Sequence, residues 1–389
     1  MGSGRLQDTG RGHGVKHREI GTAHWGRSVS CVAKVRLLYS DDPTASDMHS
    51  LRRFVPLYCL LVVVGALVFA CVVHLRRIEQ VDSVTSIGAQ FVPVDAQSPT
   101  GYAGGRRMLI GPGHNDESYE WIVQTQQMLA EGTLRVRHAP YDNAPEGRPV
   151  HAPSPFRWWL ALVAWVNHLA TGNPIGLAVE RAAVWSEPVL HLMLIAGTAA
   201  FAARFFGAVA AAAAAVALAV AFPFASMFFA GAPEPAGLTR VFLLGGLLLL
   251  LQGTVQDVGD ARRRRRWFAA SAASLAIAAW TSPGLSLPVV GGVLLGALLH
   301  STWLFEQSKA EEVHDASLPW RTWGFAGSGT LLFAYLVEYA PGHLSWSERG
   351  LMENHPLYAL SWMALAELCH RTCRRFEGGR FASSRLEWS

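Results

Sequence analysis

Charge is scarce in this chain. Only 16% of its 389 residues are Asp, Glu, Lys or Arg, and 51% are hydrophobic; an ordinary soluble domain carries about 25% charged residues. The apolar residues are gathered into runs, which excludes a soluble globular domain. They predict an all-α, polytopic helical membrane protein, because a helix satisfies its own backbone in lipid. Cysteine is also sparse. Cys31, Cys59, Cys71, Cys369 and Cys373 are odd in number and scattered, so no disulfide framework is expected. Cys369 and Cys373 could share a helix face, but a structural zinc site needs about four ligands. No internal repeat of the transporter kind is visible. The net charge of +4 is small, and its basic residues sit beside apolar runs. They read as topology determinants, and no nucleic-acid partner is expected.

Phe54 to Leu75, FVPLYCLLVVVGALVFACVVHL, is long enough to cross a hydrocarbon core of about 30 Å. It is too long, and lacks a small-residue cleavage site, to be a signal peptide. Residues 1–47 are rich in Gly, Arg and His without apolar period. They read as a disordered tail or an extension ahead of a natural start at Met48, leaving 48–389 as the membrane domain. Further spans are expected at about Arg181–Ala203, Phe206–Phe228, Leu238–Val255, Trp267–Trp280, Leu285–Phe305, Trp323–Tyr339 and Pro356–Cys369. Phe156 to Thr171, FRWWLALVAWVNHLAT, is Trp-rich and short, and is predicted to be an interfacial or re-entrant helix.

Basic residues give the orientation. Arg52 and Arg53, the run Arg262–Arg266, and Arg371, Arg374 and Arg375 all fall on the cytoplasmic side if 156–171 does not cross. Residues 76–155, 229–237 and 340–355 then share the external face of a cell inner (plasma) membrane.

Those external segments hold the polar chemistry. Asp116 lies in HNDESYEW, at or just before an amphipathic helix, where an acid can simply cap. Glu234 lies in FFAGAPEPAGL between two prolines, which hold its carboxylate at the membrane edge; the alternative is a solvated turn residue. Two carboxylates from separate loops can hold Mg²⁺ or Mn²⁺. Such an ion can neutralise a departing phosphate or diphosphate. In PEGRPVHAPSPFRWW, Arg148 could contact phosphate oxygens, and His151 could be a ligand, a phosphate contact or a base. Both could equally be incidental to a rigid Pro-rich loop. Glu353 and His355 precede Pro356, and a carboxylate there could meet an acceptor group or be an ordinary loop residue. Glu187 and His191, one turn apart in a span, are expected to hydrogen-bond to each other.

The order of these pieces resembles the catalytic subunit of oligosaccharyltransferase and its bacterial relatives, membrane glycosyltransferases of the GT-C class. NDESYEWIVQTQQMLAEGTL is similar to the family's acidic motif in the first external loop, with Asp116 at the acidic position. PEGRPVHAPSPFRWWLAL is similar to the Pro/Gly-rich stretch and interfacial helix that follow. AGAPEPAGL resembles the second acidic motif and AAWTSPGLSLP a later Trp/Pro loop. The resemblance covers about residues 50 to 300. It implies divalent-metal-assisted transfer of a saccharide from a polyprenyl-phosphate or -diphosphate donor, with Asp116 and Glu234 on the metal. Arg148, His151 and His355 would bind substrate, and Glu353 would lie on the acceptor side. The chain departs from the family in having Glu234 alone where two acids are common, and in lacking the family's C-terminal soluble acceptor domain. Protein asparagine glycosylation is therefore not implied.

The expectation is a shortened, divergent glycosyltransferase that works in the bilayer on a polyprenyl-linked sugar, alone or with a membrane-protein partner. The alternative is a non-catalytic transporter or assembly partner that kept the fold and lost the metal site.

Overall fold

The computed structural model describes residues 46–85, 117–143, 145–255, 260–308, 318–340 and 354–386. Met1–Phe54 and Val55–Ser389 are separate compact units. Of the first, only the opening turns of one helix are described; of the tail expected over 1–47, residues 1–45 lie outside the described set.

The first helix, α1 (Ser46–Thr85), runs beyond Leu75, where the sequence suggested an end. No Gly or Pro interrupts RRIEQVDSVT, so nothing stops the helix there. Residues 76–85, predicted as the start of a loop, are therefore helical. The described residues that follow hold α2 (Glu117–Ala130) and a two-residue antiparallel ladder, β1 (His138–Ala139) with β2 (Arg148–Pro149). Then come α3 (Pro155–Thr171) and α4 (Ile175–Phe205), separated by Gly172 in the left-handed region at φ 70°. α3 is amphipathic as expected: Phe156, Leu160 and Ala164 are buried, and Leu162, Trp165 and Val166 exposed.

One predicted span needs correcting. Instead of a helix over 206–228, α5 covers only Ala208–Val220, followed by a 3-10 turn at Ala225–Met227. At 1.5 Å per residue it is roughly 20 Å long, short of the hydrocarbon core. Pro223 explains the stop, because the residue before a proline is pushed out of the α region and the proline has no N–H to give. The hydropathy of the alanine run carries no such signal.

The remaining helices are α6 (Pro235–Val255), α7 (Ala261–Thr281), α8 (Pro283–Ser308), α9 (Trp320–Tyr339) and α10 (Pro356–Leu386). The arginine run lies in the first turns of α7, which Asp260 caps by accepting from the Arg263 N–H. Among the described residues three stretches are long and apolar enough to cross a membrane, Pro56–Ser83, Ile175–Phe205 and Pro235–Val255. The chain is thus a multi-pass helical membrane protein.

Two groups of helices form the bundle. α3, α4 and α5 pack in sequence order, and α2 lies on α3 and α4. On the other side α6 packs on α7, α7 on α9, and α9 on α10. There Phe268, Leu275, Trp320, Trp323 and Trp362 form a buried core, with the Trp323 and Trp362 rings stacked at 4.5 Å. α4 meets α6 and joins the two groups. α1 lies at the edge, its Ala66 and Ala70 against Ile195, Ala199, Ala215 and Ala219 of α4 and α5.

Candidate functional site at the start of α6

Glu234 is the residue just before α6. Pro235 opens that helix, where a missing N–H costs nothing, and an acid at this position is favoured by the free amides of the first turn. Glu234 is half-buried. The turn that delivers it uses Gly231 at φ 81°. That glycine faces α1 so closely that a Cβ would lie 3.1 Å from Val81. Phe229 in the same turn lies under the Arg77 guanidinium of α1, 5.5 Å from the ring centroid.

Across from the first turn of α6 stands Glu187 of α4, 1% exposed. Its carboxylate lies against Gly237, and a side chain at 237 would collide with it. The charges of Arg240 and Glu234 act on it. The Glu234 amide approaches it, yet neither carboxylate oxygen completes a hydrogen bond among the described residues. The expected Glu187–His191 bond is not formed. His191 Nδ1 faces His74 Nε2 of α1 at 2.8 Å, and its Nε2 faces the Leu218 carbonyl at 3.0 Å. The imidazole is turned that way by stacking on Phe228, 4.7 Å between centroids.

Asp116 and Glu353 lie outside the described residues. α2 begins one residue after Asp116. It is tied to the start of α4 by Gln126 Nε2, which donates to the Gly176 carbonyl at 2.8 Å and to Glu180 Oε1 at 3.2 Å. Trp121 of α2 packs edge-on against Phe156. It belongs to one buried cluster with Leu190 of α4, Phe228 and Leu238 of α6. Trp121 of α2 and Leu238 of α6 thus belong to one apolar cluster, which runs through Phe156 and Leu190. Among the described residues, no group of three or more His, Cys, Asp or Glu is placed to hold a metal ion.

The other predicted residues stand apart from Glu234 in the contacts they make. Arg148 is exposed on β2 and lies 3.5 Å from Asp142. His151 follows β2 and is half-buried. His355 is buried, and its Nδ1 accepts from the Leu357 N–H at 3.2 Å, which caps α10.

Sequence reading missed a buried polar network between the segment before α3 and the bundle. Glu338 of α9 accepts from the Ser154 N–H at 2.7 Å, the Ser154 hydroxyl at 2.9 Å and Trp280 Nε1 at 2.8 Å. Arg135 is 3.4 Å from it. Arg157 of α3, with no exposed surface, donates to Gln124 Oε1 and to the Ala152 carbonyl, each at 2.6 Å. Burial pushes its guanidinium down to about 10, with Glu338 opposing, so it stays charged at neutral pH. A lone acid inside an apolar helix was the available signal for Glu338.

No family model matches the sequence, and no curated protein does. Solved structures of the oligosaccharyltransferase of Archaeoglobus fulgidus do match. One carries a tethered acceptor peptide with an NVT sequon (TM-score 0.55, 13% identity, 84% of this chain and 35% of that chain). A second holds an inhibitory peptide and a dolichol-phosphate (0.54, 12%, 82% and 33%). A third contains zinc and sulfate (0.54, 12%, 84% and 37%). The chain thus spans about a third of the length of the structures it matches. The resemblance read from the sequence holds at the level of architecture: this chain has the GT-C fold of the archaeal oligosaccharyltransferase.

Proposed function

We propose that this chain is a glycosyltransferase that moves a saccharide from a polyprenyl-phosphate or -diphosphate donor to an acceptor on the external face of the cell membrane. One observation carries the reading beyond the fold. Trp121, five residues after Asp116, and Leu238, four after Glu234, lie in one buried cluster. This shared cluster supports the reading that Asp116 and Glu234 act at one site.

In this reading a divalent cation is held beside the start of α6. The charge of Glu234 acts on Glu187, and the Glu187 oxygens complete no hydrogen bond among the described residues. A cation would supply the compensation that a buried carboxylate needs. Asp116 and Glu234 would hold Mg²⁺ or Mn²⁺, and the ion would stabilise the charge on the departing phosphate. The zinc in one of the archaeal structures and the dolichol-phosphate in another support the same chemistry here.

The chain's own groups have separate tasks in this reading. Arg148 and His151, on the external segment that leads into Ser154, would contact the donor phosphate. Glu353 and His355, at the mouth of α10, would face the acceptor. Gly237 would let Glu187 approach the start of α6 without a side chain in between.

The test is transfer by the purified full chain in detergent, using polyprenyl-linked sugars with Mn²⁺ or with EDTA. The wild-type protein transfers sugar and EDTA stops it. Asp116→Ala and Glu234→Ala each abolish transfer while inserting in the membrane and melting normally. Unchanged transfer in either variant would overturn the assignment.

A further inference from the structure

A pocket of about 230 Å³ opens between α1, α4, α5 and the turn after α5. Its polar wall is Arg77, His74 and His191, and its apolar wall includes Phe69, Val220 and Phe222. The charges acting on both imidazoles include Arg77, and no carboxylate is among them. Among the described residues no acid forms an ion pair with Arg77. Three nitrogen-bearing side chains thus line one pocket without a matching negative charge.

The proton positions follow from the acceptors. The Leu218 carbonyl can only accept, so His191 Nε2 carries its hydrogen. In a neutral ring His191 Nδ1 is then a bare acceptor, and the 2.8 Å bond to it must come from His74 Nε2–H. That leaves His74 Nδ1 as a lone pair or, when protonated, a donor. It is buried, with the residue 3% exposed, and has no hydrogen-bond partner among the described residues. In the neutral ring Nδ1 is an acceptor, so the partner it lacks is a donor such as the P–OH of a phosphate monoester, whose anionic oxygens would face Arg77.

Depth selects the kind of anion. Arg77 lies roughly 30 Å along α1 from Pro56, at 1.5 Å per residue, which puts it at the far edge of a hydrocarbon core that begins there. Phe69, Val220 and Phe222 are 51%, 56% and 86% exposed, as expected of side chains that face acyl chains. We propose that this pocket binds the phosphate head of a membrane lipid, with the lipid's chains along the Phe69–Val220 surface. Arg77 also lies over Phe229 of the Glu234 turn, but the pocket is lined by neither Glu234 nor Glu187, and the proposal does not depend on the transfer reading.

The test uses delipidated full-length protein in detergent, titrated with dioctanoyl phosphatidic acid, dioctanoylglycerol and inorganic phosphate, with binding read by native mass spectrometry. Phosphatidic acid should bind about tenfold or more tighter than either fragment, since a charge-assisted hydrogen bond is worth more than one power of ten in affinity. Arg77→Gln should lose that preference, and Arg76→Gln, one position along on the exposed side, should keep it. Equal binding of dioctanoylglycerol would remove the phosphate from the proposal. Equal binding of inorganic phosphate would remove the lipid, and an unaltered preference in Arg77→Gln would remove the site. If Arg77→Gln fails to fold, the comparison of the three ligands on the unaltered chain decides.

Discussion

Glu338 in α9 holds Ser154 at two points, its Oε1 on the backbone N–H at 2.7 Å and its Oε2 on the hydroxyl at 2.9 Å. This clamps the residue that precedes α3 to the far helix group, and Trp280 donates to the same carboxylate from α7. Removing the carboxylate takes the acceptor from three buried donors and the nearby negative charge from Arg135. Glu338→Ala should therefore destabilise the protein by about 3–5 kcal/mol. Glu338→Gln keeps acceptor capacity and should cost less. Unfolding of the purified variants in detergent measures both, and a Glu338→Ala loss below about 1 kcal/mol would show the network to be dispensable.

The approach of Glu187 to Gly237 leaves no room for a methyl group. Gly237→Ala should cost about 1–3 kcal/mol through overpacking. The cost should shrink in a Glu187→Ala background, because the colliding group is gone. A double-mutant cycle on unfolding free energies gives the coupling, and strict additivity would mean that α6 moves aside instead.

Trp121 is 8% exposed and seats α2 on Phe156 of α3, within the cluster that includes Leu238. Trp121→Ala should destabilise by about 3 kcal/mol and lower sugar transfer, because the turns after Asp116 lose their seat. Trp165→Ala, at a position 55% exposed on α3, is the control and should leave transfer unchanged. Equal transfer in the two variants would separate α2 packing from activity.

Glu180 takes a buried hydrogen bond from Gln126. Gln126→Leu removes that donor together with the one to the Gly176 carbonyl and should cost about 1–3 kcal/mol. Protease nicking within α2 should rise relative to α7. Equal cleavage at both helices would contradict the anchoring role of Gln126.

What could be read in the sequence was what local composition encodes. The helices around residues 181–203 and 238–255 followed from apolar runs, and the amphipathic helix after Pro155 from its Trp spacing. Glu234 was visible because two prolines mark its turn. The end of α5 was misjudged because hydropathy outweighed the single breaker, Pro223. The partner of His191 was unreadable for another reason. Its choice of His74, 117 positions away, depends on α1 lying beside α4, and no pattern along either helix specifies that. Glu338 announced its burial but not Ser154, since the two meet only through the packing of α9 near α3.

The brevity of α5 has a consequence for the surrounding bilayer. At roughly 20 Å the helix falls short of a hydrocarbon core of about 30 Å, while its neighbour α4 runs 31 residues. Val209, Val216 and Val220 of this helix are exposed, so lipid against that face is expected to adjust to the mismatch by local thinning.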